Sequence, residues 1–377
     1  MANENVSQMA LSNIYFRYFK KNMQSIAALL PLLPGTNLVK QPVDGIMIYS
    51  FATQQASSIF REVEQSKTCS VFIAGGPHPS ARPEETLGFF DYVVLGEGEE
   101  TLPELINVLQ NGGDISSVKG IAYKKNNRII FTGKREDIDL DNYPPFDPDM
   151  MHSSIEITRG CPFNCAYCQT PQLFGHRMRH RSIDVISKYA KFLGDVRFTS
   201  PNAFAYGSDG IHPRIEKIEA LLSALPRGRI FFGTFPSEVR PEFINDRLLE
   251  LVSKYCANTT INMGGQSGSQ RMLERINRGH TVEDIIIGAE KCLLHGFTPV
   301  VDFIFGLPYE TEEDQLDTLK LIKWLTGKGA RVHSHYFMPL PGTPLEALTP
   351  APLSRHVDRI MGELALHGKA TGVWCKA

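Results

Sequence analysis

The sequence predicts an α/β protein in two parts: an N-terminal doubly wound, Rossmann-like domain over residues 1–112 and a partial (β/α)6 barrel over residues 153–345. Two observations carry this expectation. From Ser12 to Gln110, and again from Ser153, short apolar runs alternate with helix-length amphipathic segments, the pattern of parallel strands joined by crossover helices. Between the two alternations lies an acidic, proline-containing stretch without periodicity, DIDLDNYPPFDPD, which reads as a linker. The 377 residues, 42% hydrophobic and 21% charged, suffice for two to three domains with substantial cores.

In the first alternation, strands are expected at Asn13–Phe19, Gly45–Tyr49, Ser70–Ala74 and Tyr92–Leu95, with helices over Asn22–Leu33, Gln55–Gln65, Pro83–Phe89 and Glu99–Leu109. Gly112-Gly113 closes the last helix. Residues 113–152 hold a small hairpin, Gly120–Tyr123 with Arg128–Thr132 around Asn126-Asn127, followed by the linker. The second alternation places six strands near Ser154–Thr158, Val196–Ser200, Arg229–Phe235, Asn258–Met263, Pro299–Phe305 and Arg331–Phe337. Helices follow at Ser182–Leu193, Pro213–Leu225, Pro241–Tyr255, Thr281–His295 and Glu312–Leu325, each opening on a polar residue or proline. Residues 346–377 are expected to form a helical tail.

Thirty-nine Lys and Arg against forty-one Asp and Glu leave a formal charge of −2, so no summed field draws the chain to nucleic acid or anionic lipid. Ile26–Leu33 follows Lys20-Lys21 like a secretion signal, but Pro31 interrupts it and it falls far short of the ~18 apolar residues of a membrane span. It reads as a buried helix. Seven cysteines, three of them crowded at Cys161, Cys165 and Cys168, read as ligands in a reducing cytoplasm and not as disulfides.

Those three form RGCPFNCAYCQTP, a C-x3-C-x2-C loop directly after the first strand of the second part. In parallel β/α architectures chemistry gathers at the carboxyl ends of strands. A structural zinc, and a cube-shaped iron–sulfur cluster that only carries electrons, each usually take four protein ligands. Three thiolates on such a cube leave one iron open to a ligand, the logic of a catalytic metal site. The alternative is a structural zinc completed by His176 or His180 from the HRMRHR stretch. Cys69, Cys256 and Cys292 sit in strand or helix patterns as small hydrophobes.

A C-x3-C-x2-C loop after the first strand of a β/α barrel resembles the hallmark of the radical S-adenosylmethionine (SAM) superfamily, and NMGGQSGSQRMLERINRGHTVEDI, VDFIFGLPYETEED and FMPLPGTP are similar to its later segments. The resemblance implies a [4Fe–4S] cluster on Cys161, Cys165 and Cys168 whose open iron chelates SAM and cleaves it reductively to a 5′-deoxyadenosyl radical. It also implies SAM contacts at Ser200 and Asn202 in TSPN, at Ser237, Glu238 and Arg240 in FPSEVR, at Gln266 and Ser267 after the fourth strand, and at Ile304 in the adenine-binding strand. The FPSEVR trio equally suits a capped helix start with a surface ion pair. Asp302 stands where the family often has glycine.

In the first part, strand-GGPH-helix-strand-GEGE-helix resembles the cobalamin-binding domain that precedes the barrel in cobalamin-dependent radical SAM enzymes. That likeness implies corrin contacts at Tyr18, Asn22, Ser50, Thr53, Gln54, Gly75, Gly76, His78, Gly96, Glu97 and Gly98. The D-x-H-x-x-G motif that ligates cobalt elsewhere is absent, which implies a base-off corrin. The FPSEVRP and DFIFG pieces look closest to a branch that includes C-methylation of a glutamine in methyl-coenzyme M reductase of methanogens. The implied activity is methyl transfer from methylcobalamin to an unactivated sp3 carbon of a protein or peptide substrate, with an electron donor such as ferredoxin or flavodoxin. Tyr206, His333 and His335 are candidate pocket residues; the two histidines share a strand face and equally suit a hydrogen-bonded core. A non-methylating radical rearrangement or oxidation, or an iron–sulfur or corrinoid sensor, are the competing readings. Methylthio transfer requires a second three-cysteine cluster, whereas the first part holds only Cys69.

Overall fold

The computed structural model describes residues 13–226 and 228–375, so Ser12, where the first alternation begins, and the last two residues of the tail lie outside the described residues. The chain divides into two compact units, Met1–Ser153 and Ser154–Ala377.

The first unit is one seven-stranded sheet built from β1 (Ile14–Arg17), β2 (Asn37–Val39), β3 (Gly45–Ser50), β4 (Ser70–Gly75), β5 (Tyr92–Val94), β6 (Ile121–Lys125) and β7 (Arg128–Phe131), in the order β2-β1-β3-β4-β5-β6-β7. The first five strands in that row run parallel, and the hairpin β6–β7 continues the sheet antiparallel to β5. The helices are α1 (Met23–Leu29), α2 (Thr53–Glu64), α3 (Pro77–Ala81), α4 (Pro83–Thr86) and α5 (Gly98–Asn111). Every residue of β3 is buried, as a strand covered on both faces must be. Ile46 and Ile48 join Phe16, Ile26 and Leu105 in one core, while Met47 and Tyr49 join Ile59, Phe60 and Phe90 in the other. The strand order 2-1-3-4-5 is the flavodoxin type of doubly wound sheet, which puts its ligand crevice at the carboxyl ends beside the β1/β3 switch point. The expected hairpin is thus an extension of the sheet, because Ile121 and Ala122 fill its core.

The second unit contains β8 (Ile155–Glu156), β9 (Thr158–Arg159), β10 (Arg179–His180), β11 (Asp195–Thr199), β12 (Arg229–Phe231), β13 (Thr260–Gln266), β14 (Thr298–Phe305), β15 (Arg331–Tyr336) and β16 (Ala370–Val373). Parallel rows β12-β11-β8 and β13-β14-β15-β16 are joined by a parallel bridge from Val239 to Met263, which makes the partial barrel. Its helices are α6 (Thr170–Phe174), α7 (Ile183–Ala190), α8 (Ile215–Ala224), α9 (Asp246–Tyr255), α10 (Gln270–Arg275), α11 (Val282–Leu294), α12 (Glu312–Gly327) and α13 (Arg355–Leu366). Capping boxes Thr281/Asp284 and Thr311/Asp314 start α11 and α12 where the polar residues predict. The expected helical tail contains α13 but then turns into β16, a seventh parallel strand in register with β15. Among the described residues, no helix is long and apolar enough to cross a membrane.

Candidate active site

The Cys loop leaves the β9 strand end through Gly160, whose φ of +87° suits the turn, and returns through the short antiparallel pair β9–β10. The backbone fixes each thiol. Cys161 N–H donates to Gly175 O at 3.1 Å, and Cys168 N–H donates to Cys165 O at 3.1 Å. Ala166 N–H donates to Ile276 O at 2.9 Å, and the Asn277 side-chain amide donates to Asn164 O at 3.0 Å, so the segment after α10 docks against the loop. All three cysteines are free, and Cys165 is only 5% exposed. Burial pushes the Cys161 thiol up, and Cys168 and Cys165 push it further, against the Phe163 N–H and Arg240. A buried Cys161 thiol whose ionisation two neighbouring sulfurs oppose is suited to sharing a cationic centre with them.

The thiols line a cavity of about 100 Å³ that opens to solvent, together with Phe163, Asn202, Arg240 and Arg278. Zinc completed by His180 does not fit, because Nδ1 of that ring pairs with Thr158 Oγ1 at 2.9 Å and Nε2 with Ser208 O at 2.7 Å. His176 is exposed. Among the described residues no three His, Cys, Asp or Glu side chains converge on one ion, whereas a four-iron cube takes one cysteine per iron. The donor set and the space therefore fit a cluster with an open iron.

Two strand-end loops are zipped together above this cavity. Ser200 Oγ lies 2.5 Å from Ser237 Oγ, Ala203 N–H donates to Glu238 O at 3.0 Å, and Arg240 N–H reaches Asn202 Oδ1 at 3.4 Å. This unites Ser200, Asn202, Ser237, Glu238 and Arg240, residues brought from two strands. The surface-pair alternative for FPSEVR is ruled out: Arg240 is 3% exposed, stacks on the Phe163 ring at 3.5 Å and holds Glu242 Oε1 at 2.5 Å. Asn202 keeps a buried amide nitrogen without a partner, facing the same cavity. Gln266 ends β13 at a register shift with φ +69°, and Ser267 follows it. The Ser267 hydroxyl accepts from Ser269 N–H at 3.1 Å and meets Thr318 Oγ1 at 3.3 Å, and like Ser237 it has no exposed surface.

Tyr206 is not among the residues that line the cavity. Its hydroxyl donates to Arg181 O at 2.7 Å and its ring packs edge-on against His180, so it braces the wall behind the loop and does not enter the cavity. His333 and His335 do share a face, rings 4.6 Å apart, with His333 Nδ1 on Thr371 Oγ1 at 2.8 Å. Ile304 is partly buried on the neighbouring strand in register with His335.

Asp302 pairs in register with His333, is 6% exposed and keeps one carboxyl oxygen without a partner. Burial raises its pKa, and the Glu238 carboxylate raises it further. The folded chain therefore holds a proton that the unfolded chain has released, and this contribution to stability falls as pH rises from the ordinary carboxylate value to the raised one. Asp302→Asn, which mimics the protonated acid, should flatten that decline by about 1–3 kcal/mol. Urea unfolding of both chains at about pH 5 and about pH 8 checks this; an unchanged difference between them overturns it. The comparison is needed because burial lowers the pKa of His180 and His280, whose effect has the opposite sign.

In the first unit the predicted corrin contacts occupy the carboxyl ends of β1, β3, β4 and β5. A side chain at Gly96 would meet nothing within 4 Å, and one at Gly75 would meet only Val94, at 3.7 Å, so a flat ligand has access to the backbone there. Tyr18 and Thr53 are partly buried, Gln54 and Gly98 border the same ends, and Gly76 turns at φ +95° over Ser50. Several side chains are committed to the fold instead. Asn22 spans Arg17 O and Phe19 N–H, Glu97 accepts from Ile138 N–H, and His78, 4% exposed, lies between Phe51 and Phe60 with Nδ1 3.3 Å from Thr53 Oγ1. Burial lowers its pKa. These strand ends fit a corrinoid held largely by backbone, and His78 keeps a buried Nε2 without a hydrogen-bond partner.

Sequence reasoning missed Arg278, which lines the cavity with Nη1 3.7 Å from Cys165 Sγ. The signal available was its place in RINRGH, inside a segment already tied to the family by resemblance.

A model of the radical SAM superfamily matches residues 155–322, and a B12 binding domain model matches residues 38–106. An uncharacterized methyltransferase of Pyrococcus horikoshii is 26% identical over 296 residues, 74% of this chain and 64% of that protein. A putative methylthiotransferase of Methanocaldococcus jannaschii is 29% identical over 293 residues, 71% of this chain and 60% of that protein. The chain thus spans less than two thirds of either relative. Among solved structures, the radical SAM methyltransferase TsrM of Kitasatospora setae, with cobalamin and a [4Fe–4S] cluster bound, superposes with a TM-score of 0.67 at 15% identity, over 88% of this chain and 76% of that one. With both family models matching in this order on two units of the corresponding folds, the chain carries a B12 binding domain followed by a radical SAM domain, the domain pair of cobalamin-dependent radical SAM proteins, and these domains imply a [4Fe–4S] cluster, SAM and cobalamin as cofactors.

Proposed function

We propose that the enzyme is a C-methyltransferase that acts on an unactivated sp3 carbon of a protein residue. When bound, the cluster and SAM supply a hydrogen-abstracting radical and the corrin supplies the methyl group. The chain's own share is positioning and exclusion of water. Cys161, Cys165 and Cys168 would hold the cluster, the zipped Ser200–Asn202 and Ser237–Arg240 loops would orient SAM, and the glycine-lined strand ends of the first unit would seat the corrin. The observation that carries the reading is the combination of a three-cysteine loop opening on a cavity with a B12 binding domain match.

Methylthio transfer is the alternative the second relative raises, and residues 1–153 supply only Cys69, which is exposed, where that chemistry requires another three-cysteine set. A protein substrate is supported by the FPSEVRP and DFIFG resemblance, and the first candidate is the glutamine side chain of methyl-coenzyme M reductase. A low-potential ferredoxin or flavodoxin would supply the electron.

The test is anaerobic reconstitution with iron, sulfide and methylcobalamin, followed by SAM, reductant and glutamine-containing peptides of that reductase. Bound corrin, 5′-deoxyadenosine and a peptide heavier by one methylene are the expected results. SAM cleavage without retained corrin would sink methyl transfer in favour of another radical reaction. A methylated small molecule with untouched peptides would sink the protein substrate alone.

A further inference from the structure

Arg278 sits where no role in binding SAM was expected of it. Its guanidinium is 9% exposed and makes two contacts, Nη1 to Cys165 Sγ at 3.7 Å and Nη2 to Gly264 O at 3.0 Å, while Nε is buried without a partner. Its own carbonyl accepts from Arg240 Nη2 at 2.5 Å. The carboxylate in this neighbourhood, Glu242, is bonded to Arg240, which leaves the charge of Arg278 directed at the thiol. Three contacts more than a hundred residues apart in sequence fix this approach: Asn277 to Asn164, Ile276 to Ala166 and Arg278 to Cys165. Gly264 leaves room for the fork, since a Cβ there would stand 2.9 Å from Nη2.

We propose that Arg278 tunes the cluster electrostatically, its guanidinium donating to the Cys165 sulfur and easing one-electron reduction. One electron from a low-potential iron–sulfur or flavin carrier adds a negative charge beside this cation, with no proton transferred. Net charge and hydrogen bonds to the sulfurs are the protein's levers on the potential of such centres. Arg278 acts through Cys165 and is a positioning residue.

The inference rests on the cluster reading of the Cys loop, and the experiment separates the two. EPR-monitored redox titration of the reconstituted enzyme without SAM compares wild type, Arg278→Gln and Arg278→Lys at equal iron content. Arg278→Gln should disfavour reduction at least ~10-fold, about 59 mV to the negative for one electron. Arg278→Lys keeps the charge and should move less. In wild type labelled with ¹⁵N-arginine, pulsed EPR of the reduced enzyme should show a weak ¹⁵N coupling, which is lost in Arg278→Gln. No coupling in wild type overturns the proposal even if the variant fails to fold, as does an unchanged potential. An unchanged potential with weakened SAM binding would assign the guanidinium to SAM instead. A wild-type chain that takes up no iron overturns the cluster reading together with this one.

Discussion

Cys161→Ala, Cys165→Ala and Cys168→Ala should each reduce 5′-deoxyadenosine formation more than ~100-fold and deplete bound iron, because loss of a ligand exceeds the 10–100-fold typical of losing a ligand's outer partner. Each thiol is set by a backbone contact of its own loop and has no substitute nearby: His180 has both ring nitrogens engaged and His176 faces solvent. Cys292 and Cys256 are the controls. Burial pushes both thiols up to about 12, so they are neutral packing groups at neutral pH. Cys292→Ala should cost about 1 kcal/mol of packing and leave iron content unchanged. Iron and acid-labile sulfide assays on all five variants check this, and a Cys165→Ala chain with full iron and undiminished SAM cleavage would refute it.

The Cys loop was legible because its chemistry is written in consecutive residues, and the parallel strands because buried strands such as GIMIYS are continuous apolar runs. Other features depend on distant partners. Asn37–Val39 is three residues with an exposed start, too short to announce the strand that makes the first sheet flavodoxin-like. Ala370–Val373 is mostly exposed and earns its place by pairing with β15, a partner 38 residues earlier. Tyr206 follows a strand as a site residue does, yet its hydroxyl is held by the Arg181 carbonyl and it is not among the residues that line the cavity. Arg278 reaches its thiol across 113 residues of sequence, a distance over which no local pattern operates.

Gly160 is where fold and site depend on the same atom. Its φ of +87° is left-handed, and a Cβ there would stand 2.2 Å from the Arg177 carbonyl oxygen, which is backbone of the bend that leads into β10. Gly160→Ala would incur roughly 1–2 kcal/mol for the left-handed backbone and roughly 1–3 kcal/mol for overpacking. For a unit of this size, that corresponds to a melting temperature lower by roughly 5–15 °C. Gly296, also left-handed at +79° but with nothing within 4 Å of a Cβ, isolates the backbone part. Gly296→Ala should therefore lose only the smaller amount and keep full iron. Gly160→Ala should lose more stability and also iron, because separating Gly160 from Arg177 moves the Cys161 N–H away from Gly175 O, the contact that aims the first thiol. Calorimetry and iron assays on the two variants decide the matter. Equal melting temperatures with equal iron would mean that the strand end yields without cost and that the loop is aimed by contacts other than this one.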